Sequence, residues 1–382
     1  MNKVKSFYLE VIRIIAAFYV FIYHFGAFTI NEKLYYATPA FAQKLHLNYP
    51  AAHCFVIVFF VLSGYLISIS INKSGQSFKS FITDRLGRLY SVLIPALFFS
   101  FLTVIFIQKM GYEVGQYIVN NSNLILRFIL NLFFLSQVLH LCSTPPLNTP
   151  FWSVQYELFY YLLLSVFVYI KGWVKYLFLI ILLIFSWIKV LILFPIWLMG
   201  SSLYFIWEKK KINSFISISL FISTTFLIIF FIFFPDNIPF HKSVGENQLF
   251  GFTLYFSWNY FSDYLFGVIV LLNMLSFFQL SIFIEKKVSN SEFFDLILSK
   301  VKTIANCTYT LYLFHLPLLF LFATILPYDV SNYLHQIALI ILIITCVYFI
   351  ARQTEWKLTA WRKGVKNVIE FLIQFNFRRK FK

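Results

Sequence analysis

Apolar runs close to the length of a membrane crossing recur along the whole chain, and that repetition fixes its class. A bilayer core takes about 20 consecutive apolar residues per helix. Ten such runs can be drawn, at 7–29, 51–71, 89–109, 151–170, 174–189, 191–207, 213–235, 257–280, 303–326 and 333–351. The fifth and sixth are short and closely coupled, with Pro195 near their junction. Only 12% of the residues are charged and 60% are hydrophobic, against about a quarter charged and about half apolar in soluble domains. The expected fold is therefore an all-α membrane protein, a polytopic bundle of about ten transmembrane helices with both termini cytoplasmic. It divides into a transmembrane part, 1–351, and a basic amphipathic cytoplasmic tail, 352–382.

The net charge of +16 would suit nucleic acid, but its position argues for membrane lipids as partners and against nucleic acid. The basic residues lie between alternate apolar runs and in the tail, which is the positive-inside pattern. Charge also bears on the stretch 123–140, which is apolar but holds Arg127, Asn131 and Gln137. It reads as an eleventh span, or as a re-entrant or interfacial helix. A full crossing would turn the Lys209–Lys211 cluster outward, so ten spans are favoured. The outer loops then fall at 30–50, 110–150, 236–256 and 327–332. Cys54, Cys142, Cys307 and Cys346 suggest no pairing and no metal spacing, so no metal is expected. The first run lacks a small-x-small cleavage site and is read as retained. In the tail, Leu358, Trp361, Val365, Val368 and Leu372 recur at helical spacing, as in an interfacial anchor helix.

The first run carries Glu10, Arg13 and His24. Eleven positions separate Arg13 from His24, which on a helix is about 1100°, close to three full turns, and a rise of roughly 16 Å. Both leave the same face, one near each side of the bilayer. Ionisable groups at such depth are costly, and they mark a wet path through a protein interior. The plainer alternative is an Arg that snorkels to the headgroups.

Four later stretches add chemistry. Ser63-Gly64 in mid-span permits close approach of a ligand, or simply of another helix, the commoner use. Arg85 and Arg88 share a helical face at the inner edge, where paired guanidiniums suit phosphate and also mark topology. Thr149-Pro150 starts a helix that carries Glu157 about two turns in, with Ser153 and Tyr160 beside it. At that depth Glu157 and His24 would form an acid–base pair, or a structural hydrogen bond between helices. Finally, Thr308 to Pro317 places His315 near mid-membrane, and Pro317 frees the Leu313 carbonyl. His46, His53, His140, His241 and His335 are assigned no chemistry.

These residues resemble the acyltransferase-3 family of bacterial membrane acyltransferases. Arg13 and His24 match its Arg-x10-His signature. Ser63-Gly64-Tyr65, the Arg85/Arg88 pair, Trp152 to Glu157 and Tyr309 to Pro317 follow in the family's order. The resemblance covers roughly residues 5–350. Glu10 stands where the family usually has Asp, Ala305 where a Gly is common, and Lys189 is the nearest cation to a missing Arg. Some relatives carry a soluble esterase-like domain after the bundle, and none is expected here. The resemblance implies a multi-pass protein of the bacterial plasma membrane that moves an acyl group, usually acetyl, from cytoplasmic acyl-CoA to a hydroxyl of a surface glycan or lipid-linked glycan. Arg13, Arg85 and Arg88 would hold the phosphate-bearing part of the donor. His24 would be the base or be transiently acylated, with Glu157 orienting or protonating it. Glu10, Ser63, Gly64, Tyr65, Trp152, Ser153, Tyr309 and His315 would lie along the substrate path. A transporter or flippase for a lipid-linked glycan, or a non-catalytic subunit, would also place polar residues in spans.

Overall fold

The computed structural model describes residues 2–27, 49–111, 123–209, 212–234, 248–249, 251–288, 290–326 and 332–380. The expected outer loops at 30–50, 236–256 and 327–332, with His46 and His241, lie wholly or largely outside these residues, as do Lys210 and Lys211. The helices are α1 (Lys3–Ala27), α2 (Tyr49–Ile71), α3 (Phe78–Lys109), α4 (Leu124–Leu132), α5 (Phe151–Tyr169), α6 (Trp173–Leu191) and α7 (Phe194–Lys209). There follow α8 (Ser214–Phe233), α9 (Tyr260–Val288), α10 (Glu292–Ala305), α11 (Thr308–Ile325), α12 (Tyr333–Gln353) and α13 (Leu358–Lys380). A two-residue hairpin, Gln248–Leu249 against Phe252–Thr253, precedes α9. Among the described residues nine helical stretches are long and apolar enough to cross a membrane, and Phe194–Ile206 is a shorter apolar helix. The all-α polytopic fold is thus the one the apolar runs imply.

Two boundaries differ from the hydropathy reading. α3 starts at Phe78, where the Ser77 hydroxyl accepts from the Ser80 amide at 3.2 Å, so Arg85 and Arg88 stand on the helix itself. The run at 303–326 breaks at Asn306–Cys307, which separates the amphipathic α10 from α11. The start of α1 meets the end of α9 and the start of α10. Glu285 on α9 accepts from the first amides of α1, Lys3 at 3.2 Å and Val4 at 2.9 Å, where a negative charge suits the helix dipole. Lys3 in turn pairs with Asp295 on α10 at 2.7 Å.

The stretch at 123–140 does not cross. Its helix α4 has 9 residues, about 14 Å at 1.5 Å per residue. The polar side chains that spoil it as a span tie down the irregular backbone that follows. Arg127 donates twice to the Thr144 carbonyl, and Asn131 donates to Ser143 O at 2.7 Å. Gln155 on α5 donates to the Asn131 side chain at 2.9 Å and accepts from Ser136 at 2.7 Å. Non-helical backbone at membrane depth is tolerated where protein satisfies it in this way. The same segment settles the Leu313 carbonyl that Pro317 frees, since Asn148 Nδ2 donates to it at 2.7 Å.

The tail is tied to the start of α3. It is helical, as its spacing implies, and α13 packs on the first turns of α3. A Cβ on Gly87 would lie 2.9 Å from the Arg362 Cα. Arg362 reaches Asp84 at 3.5 Å, and Lys79 reaches Glu370 at 3.2 Å.

Candidate active site

Helices α1, α2, α3, α5 and α11 line a partly open cavity. Arg13, Arg85 and Arg88 line it, together with Ser63, Glu157 and Tyr161; Tyr309, Ser153 and Tyr312 complete its polar wall. Arg13 donates to the Ala305 carbonyl at the end of α10, at 2.6 Å, and pairs with Glu10 at 3.0 Å. A cation at a helix C-terminus is favourably placed. Its Nε is nevertheless buried without a hydrogen-bond partner among the described residues, as is Nε of Arg85, whose Nη2 donates to Ser70 at 2.5 Å. Arg88 lines the same cavity with the charges of Glu157 and Glu355 acting on it, but no hydrogen bond or ion pair holds its guanidinium among the described residues. Buried donors left without acceptors are costly, and they persist where a ligand completes them.

The Glu157 carboxylate accepts from the hydroxyls of Ser63 and Tyr161, and Ser63 in turn accepts from the Trp197 indole at 3.2 Å. Ser153 meets the Tyr312 hydroxyl at 2.7 Å, and Tyr309 donates to the Leu89 carbonyl at 3.3 Å. His24 is elsewhere. Its Nδ1 lies 2.8 Å from the Val20 carbonyl and 3.1 Å from Nε2 of the fully buried His315. Both histidines stand one turn beyond Tyr312, whose ring centroid is 6.5 Å from that of His315. The direct Glu157–His24 pair expected from depth is therefore not formed. Sequence distance along a helix gives height, while the facing of two separate helices is set by their packing.

Five expected path residues lie off the cavity wall: Glu10, which pairs with Arg13, His315, which faces His24, and Gly64, Tyr65 and Trp152. Gly64 packs against the backbone of α7 at Trp197 and Ser201. Tyr65 is buried against Phe278, with the Lys5 ammonium 5.0 Å from its ring centroid. Trp152 stacks between Phe256 and His53, at 4.8 and 6.0 Å. His53 itself forms a buried pair with Asp263 at 3.0 Å. Lys189 is fully buried and donates to the Leu141 carbonyl. Glu355, which sequence reasoning did not single out, accepts from the Thr310 amide at 2.6 Å, in the first turn of α11, beside Arg13 and Arg88. Of the two acids in the basic tail, Glu355 and Glu370, it is the one that directly follows the last apolar run, and that was the available signal.

Residues 6–352 match the family model described as an acyltransferase domain. The chain belongs to the acyltransferase-3 family. It is a multi-pass membrane acyltransferase. No curated protein and no solved structure matches it. Glu355 falls just outside the stretch that this acyltransferase shares with its family model, whereas every arginine of the cavity falls inside it.

Proposed function

We propose that this acyltransferase carries an acetyl group from cytoplasmic acetyl-CoA to a hydroxyl of a surface glycan or lipid-linked glycan outside the bacterial plasma membrane. The observation that carries the reading is the set of cavity arginines whose N–H groups lack acceptors. Guanidiniums match phosphate oxygens in geometry and charge, and the positive-inside pattern puts this end of the bundle in the cytoplasm. The thioester arm lies along Ser63, Glu157 and Tyr161 and reaches past Tyr312 towards His24. His24 takes the proton of the acceptor hydroxyl as its oxygen attacks the thioester carbonyl carbon. The carbon–oxygen bond forms, the carbon–sulfur bond breaks, sulfur leaves with the bonding pair, and the proton passes from His24 to the thiolate. Glu157 holds Ser63 and Tyr161 beside the path.

The reading is tested by comparing masses of surface glycans from cells with and without the protein. Loss of acetyl increments is expected; unchanged glycans and lipids would favour transport or a purely structural role. Purified protein in vesicles gives the donor side. Arg88→Ala raises KM for acetyl-CoA by about tenfold to about a hundredfold, since hydrogen bonds to charged groups contribute about 1.5–3 kcal/mol each. An unchanged KM would remove Arg88 from the donor site. Glu355→Gln acts in the opposite sense. The amide oxygen still accepts from Thr310, and the carboxyl, whose pKa burial raises to about 7 and which is therefore only part-charged at neutral pH, no longer competes with donor phosphate for Arg13 and Arg88. KM falls several-fold, and a rise would mean that Glu355 instead organises the arginines.

A further inference from the structure

His24 and His315 face each other from α1 and α11, and their contacts fix where each proton sits. A carbonyl oxygen only accepts. His315 Nδ1 lies 2.8 Å from the Leu311 carbonyl, so Nδ1 carries its proton and, in the neutral ring, Nε2 carries a lone pair. His24 Nδ1 lies 2.8 Å from the Val20 carbonyl, so it too carries a proton. At 3.1 Å from His315 Nε2 that proton has a second acceptor. Two N–H groups could not approach so closely, so a neutral His315 is the partner that this arrangement requires. The lone pair of a neutral His24 is then on Nε2.

We infer that His315 is a positioning residue for the transfer reaction: it holds His24 as the Nδ1–H tautomer with Nε2 as the proton acceptor, and it takes part of the positive charge through the Nδ1–H bond when Nε2 is protonated. The logic is that of the third member of a catalytic triad, with a neutral imidazole in place of a carboxylate. In an apolar bundle this substitution has a reason. A carboxylate beside His24 would need its own solvation, whereas the His315 ring, fully buried and edge-on to Phe21 at 6.1 Å, satisfies its second nitrogen on its own helix. Glu157 is engaged with Ser63 and Tyr161 and does not supply this bond.

The inference rests on the acyl-transfer reading for its kinetic part only. In vesicle-reconstituted protein, His315→Leu removes the acceptor that faces His24 across the interface and leaves only the Val20 carbonyl. It lowers kcat by about tenfold to about a hundredfold, the usual cost of losing a partner that orients a functional histidine, and leaves KM for acetyl-CoA unchanged. His315→Gln places an amide oxygen near the position of Nε2 and restores most of the loss. A merely structural role would give parallel losses in both variants, and that result, or full activity in His315→Leu, would overturn the inference while leaving acyl transfer intact. The tautomer is read without activity by solid-state NMR of ¹⁵N-histidine-labelled protein, with His24→Ala assigning the signal. A protonated Nδ1 and unprotonated Nε2 on His24 are expected; the opposite tautomer in the wild-type protein would overturn the inference even if transfer were normal. If the wild-type protein transferred nothing, the functional reading and the catalytic role of His315 would fall together.

Discussion

Gly64→Ala leaves little folded protein to recover from membranes. A Cβ at this position would collide with the Trp197 carbonyl oxygen and lie 2.9 Å from the Ser201 nitrogen, both backbone atoms of α7. The contact is reciprocal, since a Cβ on Gly200 would collide with the Val61 carbonyl oxygen and lie 2.9 Å from the Val61 Cα on α2. Neither obstacle is a side chain that can turn away, so the two helices must separate. Separation breaks more than van der Waals contact. Ser68 and Ser201 meet across the same seam at 2.6 Å, and Ser68 also bonds the Gly64 carbonyl at 3.0 Å. In lipid no hydrophobic force pulls helices together, and close packing of small residues carries their association. The cost lies at or above the upper end of the about 1–3 kcal/mol usual for overpacking. It should appear as a large fall in melting temperature, followed by size-exclusion of heated, detergent-solubilised protein, and Gly200→Ala should match it. Gly364→Ala is the control. Nothing lies within 4 Å of its added Cβ, and on α13 the change should be neutral or stabilising by up to about 1 kcal/mol. A Gly64→Ala protein as stable as the wild type would mean that α2 and α7 are not packed as described.

The seam between α2 and α7 illustrates how far hydropathy carries. The ten runs located the nine helices that, among the described residues, are long and apolar enough to cross, and the shorter α7, because a bilayer imposes length and apolarity on each one separately. Polar residues inside 123–140 were enough to doubt a crossing, and Arg127 and Asn131 turn out to be the side chains that hold its loop. The rotation of each helix about its axis was not legible, because the apolar environment surrounds most of these helices and leaves no amphipathic stripe to read. That is why Arg13, Arg85, Arg88, Ser63 and Glu157 were found as residues while their partners were not. Pairings between distant segments, such as Glu355 with Thr310 or His53 with Asp263, lie beyond any local pattern. A partial signal existed for the second pair. Asp263 is the one acid in the apolar run at 257–280, and an acid there calls for a partner.

His24→Ala removes transfer while leaving the fold and donor binding in place. The ring bonds Val20 on its own helix and His315 across the interface, is half-buried, and stands outside the cavity that the arginines line. Its loss therefore leaves the α2–α7 seam, the Glu10–Arg13 pair and the arginine-lined cavity untouched. Loss of a general base costs about 10²- to 10⁴-fold in rate, so kcat should fall by that factor with KM for acetyl-CoA unchanged, the reverse of the Arg88→Ala result. The two variants together locate binding and chemistry at opposite ends of one path. They also bear on whether His24 passes a proton or the acyl group itself. If the acyl group rested on His24, incubating wild-type protein with labelled donor and no acceptor would leave label on the protein, and His24→Ala would abolish it. Direct attack by the hydroxyl predicts no label in either protein, only the loss of turnover. A His24→Ala variant that inserts normally and transfers at the wild-type rate would remove His24 from the chemistry, and with it the reason for an ionisable pair this deep in the bundle.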